Sequence, residues 1–130
     1  MKKIVGLMFV LVLLAASASA AGSYPQLTGV WEGKTIGYNP AKGFVENTLT
    51  LDIKEQKDGV FHGVKTVKLV VSGKEMEEAF CGTVTPEGKI LVSEFVDGYL
   101  IGTVKGETMV LQYAEAGPKA KSFLHELKRK

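Results

Sequence analysis

The sequence is poor in the residues that most often carry chemistry or cross-links. It holds one cysteine, Cys81, one tryptophan, Trp31, two histidines and four prolines in 130 residues. A single cysteine excludes an internal disulfide, so the folded part must be held together by its own core. Two isolated histidines without spaced cysteines or acidic ligands do not make a zinc site, and no metal is expected. The chain lacks G-x-S-x-G, H-E-x-x-H and any P-loop, so no enzymatic role and no cofactor are expected. Charge of one sign is lacking too. The 16 basic residues face 14 acidic ones, and two of the basic residues, Lys2 and Lys3, stand at the extreme N-terminus. Without a dense Lys/Arg stripe the chain is a poor partner for a phosphate backbone, which argues against nucleic acid.

What is present begins with targeting. Lys2 and Lys3 precede an apolar stretch over residues 4–14, and Ala18-Ser19-Ala20 forms an A-x-A cleavage site. This is the pattern of a secretory signal peptide over residues 1–20, with a short signal helix and cleavage near Ala20. The stretch is too short for a comfortable membrane span, and no later apolar run is long enough to cross a bilayer. No cysteine stands immediately after the cleavage site, where Ala21 and Gly22 follow, so a lipid anchor is not expected. The chain is therefore expected to be exported, periplasmic or secreted, with residues 21–130 forming one domain around one core.

Turn signals divide that domain into about eight strand-like segments, at residues 27–38, 44–55, 60–71, 76–85, 89–96, 99–105, 107–115 and 120–129. Asn39-Pro40, Asp58-Gly59, Ser72-Gly73, Asp97-Gly98 and Gly117-Pro118 are among the turns. Alternation is clearest in the second segment, where Val45, Asn47, Leu49, Leu51 and Ile53 share one face and charged or hydroxyl side chains the other. The last segment reads as a strand with Phe123, His125 and Leu127 on one face, although Phe123, Leu124 and Leu127 also suit helical spacing. Consecutive hairpins form a meander, and such a sheet escapes its edges by closing. The expected fold is an all-β, eight-stranded antiparallel up-and-down barrel.

Gly29-Val30-Trp31, at the start of the first strand, resembles the G-x-W signature of the lipocalin and avidin-like (calycin) barrels. The resemblance implies that Trp31 closes one end of the barrel, with Gly29 beside it. It also implies that a basic residue of the last strand, Arg129 by parity or else Lys128, packs across the indole. Biotin-binding avidins line their pocket with several tryptophans, so the single Trp31 argues against biotin.

Small residues on the Trp31 face, among them Gly33, Thr35 and Gly37, permit either strong bending around a filled core or an empty interior. A hollow interior would hold one small apolar or amphipathic ligand, touched by Thr35, Asn47, Phe61, Phe80, Tyr113 and His125. The ordinary alternative for His125 is a hydrogen-bonded core histidine. Glu94 is expected on the solvated outer face, although a buried carboxylate there would be an acid of raised pKa. Cys81 is expected as a small buried side chain. A wall of Val70, Ile90, Val92, Tyr99 and Ile101 is expected to serve self-association or a protein partner. The functional expectation is a non-enzymatic, exported ligand-binding barrel. Its rival is a periplasmic protein-interaction module, such as an enzyme inhibitor acting through the leader of residues 21–26 or an envelope assembly factor.

Overall fold

Period-two alternation, interrupted by turns, produces eight strands in sequence order. They are β1 (Gly29–Asn39), β2 (Gly43–Lys57), β3 (Val60–Leu69), β4 (Glu75–Val84), β5 (Lys89–Glu94), β6 (Tyr99–Lys105), β7 (Thr108–Glu115) and β8 (Lys121–Arg129). The computed structural model describes residues 22–96 and 98–130. The expected signal helix and cleavage site lie outside the described residues. Each strand pairs antiparallel with the next, and β1 pairs with β8, from Trp31 opposite Arg129 to Tyr38 opposite Ser122. The sheet is a closed barrel without free edges. Residues 121–129 are thus a strand; the β1 ladder supplies the backbone partners that an isolated helix would have to find within itself. No helix among the described residues is long and apolar enough to cross a membrane.

Turn chemistry explains the tight connections. In the β2–β3 hairpin Lys57 opposes Val60, leaving Asp58-Gly59 as the two-residue loop. Asp58 itself takes the positive φ, at 50°, a conformation its short polar side chain tolerates. Gly59 is required for a different reason, since a Cβ there would stand 2.6 Å from the Val84 carbonyl oxygen.

The interior is divided along the barrel axis. One end is solid, with Trp31, Leu49, Leu51, Ile53, Phe61 and Leu127 all buried. Phe61 and Phe80 meet edge to face with centroids 6.2 Å apart. The segment before β1 lies across this end. Trp31 Nε1 donates to the Leu27 carbonyl at 2.8 Å, and Leu27 is fully buried. A register shift between Ile53 and Glu55 lets Gln56 pair with Phe61 on the inward side. From there its carboxamide accepts from Leu27 N at 2.7 Å and donates to the Pro25 carbonyl at 2.8 Å.

The side chains of Cys81, Ile90 and Val92 lie opposite to expectation, each because of strand parity. Cys81 is exposed, since its neighbours Phe80 and Gly82 take the two inward positions. Ile90 and Val92 are buried, so the outer wall as drawn from the sequence is not formed. Leu91 replaces them outside, in register with Ile101.

Candidate functional site

Above the apolar plug the barrel is hollow. A cavity of about 960 Å³ opens at the end opposite Trp31. Its depth is set by where the large inward side chains stop. On β1 the inward row runs from Trp31 through Gly33 to Thr35 and Gly37, so nothing bulky fills the upper half. On β8 the corresponding row is Leu127, His125 and Phe123.

The floor is a polar belt. Lys65 on β3 reaches inward to the carboxylate of Glu94 on β5 and lies 3.5 Å from Glu78 on β4. The Glu94 side chain is only 2% exposed. Burial raises its pKa above the ordinary carboxylate value, and the Lys65 ammonium pulls it partly back. The expected outward position of Glu94 is therefore corrected. Glu94 opposes Phe80, an inward residue, and that register carries it inside. Glu78 also accepts from Val96 N at 2.7 Å, which ties the β5–β6 connection to the cavity wall.

Tyr113 stands beside this cluster. The Lys65 ammonium lies 5.4 Å from its ring centroid, and its hydroxyl donates to Glu115 at 2.9 Å. Burial raises its pKa well above the phenol range, and the Glu115 carboxylate it bonds to adds to the shift. Across the floor, Thr35 on β1 and His125 on β8 are register partners. Both are buried. Burial lowers the His125 pKa to about 4, with Lys65 adding to the effect, so the imidazole is neutral at physiological pH. Phe123 stacks on it with ring planes 4° apart. Thr35 Oγ1 and His125 Nδ1 have no hydrogen-bond partner among the described residues.

Above the belt the wall turns apolar again through Val45, Val67 and Leu69, with Asn47 and Glu46 among them. The mouth carries large apolar side chains in the open. Phe44 is 81% exposed and Val71 fully exposed, with Val70 and Val96 nearby on the rim. Lys42 and Lys74 stand among them, and Lys121 pairs with Glu115 at 3.0 Å.

Of the side chains singled out from the sequence, Thr35, Asn47, Tyr113 and His125 line this cavity. Phe61 and Phe80 do not; they belong to the plug below it. They share the inward face with the cavity residues, but their depth along the strand places them in the solid half. Lys65, Glu78 and Glu94 were not anticipated as site residues. At the opposite end the Arg129 guanidinium lies over the Trp31 ring at 4.3 Å and donates to the carbonyls of Thr28 and Gln26, at 2.9 and 2.6 Å. Gly29 is adjacent, with positive φ. Among the described residues no cluster of His, Cys, Asp and Glu has the makings of a metal site.

Comparison with known proteins adds the fold and nothing more specific. No protein-family model matches the chain, and no curated protein matches it. Among solved structures, the crystal structure of Rv2717c from M. tuberculosis is similar with a TM-score of 0.52. The match covers 80% of this chain and 92% of that one at 15% sequence identity. A likeness at this identity shows a shared barrel fold.

Proposed function

We propose that this chain is an exported, non-enzymatic barrel of lipocalin/avidin-like type that binds one small amphipathic molecule in the open half of its interior. The observation that carries the reading is the cavity itself. Its volume of about 960 Å³ lies in the roughly 300–1,000 Å³ range of small-molecule sites. Its apolar upper wall and a few convergent polar groups on the floor are the composition such sites share. The cluster of Lys65, Glu78 and Glu94 supports binding rather than turnover. Lys65 is held between the two carboxylates, and among the described residues no activated nucleophile stands beside a base. The rival reading, a protein-interaction module, leans on two exposed apolar pairs on the outer face, Leu91 with Ile101 and Leu124 with Ile36, separated by Gln112. Its form as an inhibitory tail has less support, because the leader is bonded across the closed end through Pro25 and Leu27.

Native mass spectrometry of the protein purified gently from the periplasm of its own cells tests the proposal. The expected result is a retained small-molecule mass at one-to-one stoichiometry, lost after organic extraction. A bare chain mass together with a stoichiometric protein partner would overturn it.

A further inference from the structure

We propose that the cavity selects an uncharged amphiphile, inserted polar end first, whose hydroxyl or carbonyl group bonds Thr35 Oγ1 and His125 Nδ1. This deepens the ligand-binding reading and rests on it.

Three observations carry the inference. The first is the layering of the interior. An apolar plug, a polar belt and a largely apolar upper wall follow one another toward a rim where Phe44, Val70 and Val71 stand among lysines. A molecule with one polar end matches that order only if the polar end goes to the floor and the chain lies along Val45, Val67 and Leu69 toward the mouth. The second is the pair of incomplete groups. Thr35 is 3% exposed and His125 6%, both line the cavity, and neither Oγ1 nor Nδ1 finds a partner among the described residues. Buried polar atoms are nearly always satisfied. A hydroxyl both donates and accepts, so it can serve a threonine hydroxyl and a neutral imidazole together.

The third is charge. Lys65, the cation on the floor, is already held by Glu94 and Glu78. Lining residues of the cavity include four lysines against five glutamates, so no positive excess exists to compensate a buried carboxylate or phosphate. Burial and the Lys65 charge already disfavour a positive charge on the His125 ring, and an ammonium head bonded there would meet the same two penalties. A ligand whose polar end carries no charge avoids both penalties.

The test uses diphenylhexatriene, a fluorescent hydrocarbon with no hydrogen-bonding group, bound to the exported form of the chain at pH 8. Three ten-carbon competitors follow: decan-1-ol, decanoate and decylammonium. To enter as the neutral acid at pH 8, decanoate would need a proton, at a penalty of roughly a thousandfold or more from ordinary carboxyl pKa values. Decanol is expected to displace the probe at a concentration at least about tenfold below either charged homologue. Thr35→Val, which keeps the side-chain shape, is expected to weaken decanol relative to the probe by about three- to tenfold.

Displacement by a charged homologue as effective as that by decanol would overturn the head-group assignment and leave the cavity reading standing. An unchanged decanol affinity in Thr35→Val would do the same. Failure of the protein to take up diphenylhexatriene at all would overturn the ligand-binding reading itself, and the inference with it.

Discussion

Replacing Lys65 by methionine removes the ammonium that faces Glu94 while keeping most of the aliphatic volume. The Glu94 side chain is 2% exposed, so its charge is left with neither solvent nor a counter-ion. Breaking a buried pair by removing one partner costs about 3–5 kcal/mol in general. Here an escape limits the loss, because Glu94 can take up a proton. The free-energy cost of protonating a carboxyl of ordinary pKa, near 4.5, is about 3 kcal/mol at pH 7 and below about 1 kcal/mol at pH 5. The sign follows from the raised pKa of the folded state. The variant binds a proton that the unfolded chain releases, so its stability falls as pH rises above 4.5 toward the elevated folded value. Urea denaturation followed by Trp31 fluorescence measures this. Lys65→Met is expected to lose about 3 kcal/mol at pH 7 and to recover most of it at pH 5. Adding Glu94→Gln should restore most of the loss at pH 7 and change little at pH 5. A pH-independent loss, or none at pH 7, would refute the placement of Glu94 as a buried carboxylate held by Lys65.

Three further outcomes follow from the same geometry. His125 should show no protonation above about pH 5 in an NMR titration of its ring, because its folded pKa is lowered to about 4. Unfolding then takes up a proton as pH falls below about 6.5, which drains up to about 3 kcal/mol of stability by pH 4, against the opposite contribution of Glu94; titration near 6.5 would contradict the burial. Arg129→Ala should destabilise by about 2–3 kcal/mol in urea through loss of the contact over Trp31 and the two carbonyl bonds to the leader, with the exposed Glu107 pair adding little. Arg129→Lys should fall between, keeping the charge near the indole without both bonds. Gly33→Ala should cost about 2 kcal/mol or more in the same assay, because its Cβ would meet the Glu126 carbonyl oxygen at 1.8 Å and force β1 from β8; an unchanged midpoint would mean that the two strands are not so closely apposed.

Much of this architecture is legible in the sequence because a strand carries its own ruler. The alternation from Val45 to Ile53 assigns the faces of β2, and the glycine-bearing turns place the hairpins. The floor of the cavity was harder to read. In β5 Ile90, Leu91 and Val92 are all apolar, so composition does not say which face is inside, and the face of Glu94 is not legible from β5 alone. The pairing of Glu94 with Phe80 settles it, but that register exists only once β4 and β5 are aligned. Lys65 carries no inward signal of its own, because a lysine in a strand usually points to solvent. Its parity with Phe61, Gly63 and Val67 was nonetheless visible, and the same parity argument would have turned Cys81 outward. Phe61 and Phe80 show a separate difficulty. Parity assigns a face but not a depth along the barrel axis, and depth decides whether an inward ring lines a cavity or fills a plug.

One half of the barrel is solid and the other half is open at the mouth. Titration of diphenylhexatriene against the natural chain and against Val67→Trp tests it most directly, since Val67 lines the hollow half. Saturable one-to-one uptake by the natural chain and none by the variant are expected, with similar melting temperatures because the indole grows into free space. No uptake by the natural chain would mean that the hollow half takes no ligand, and equal uptake by both would place the probe outside it.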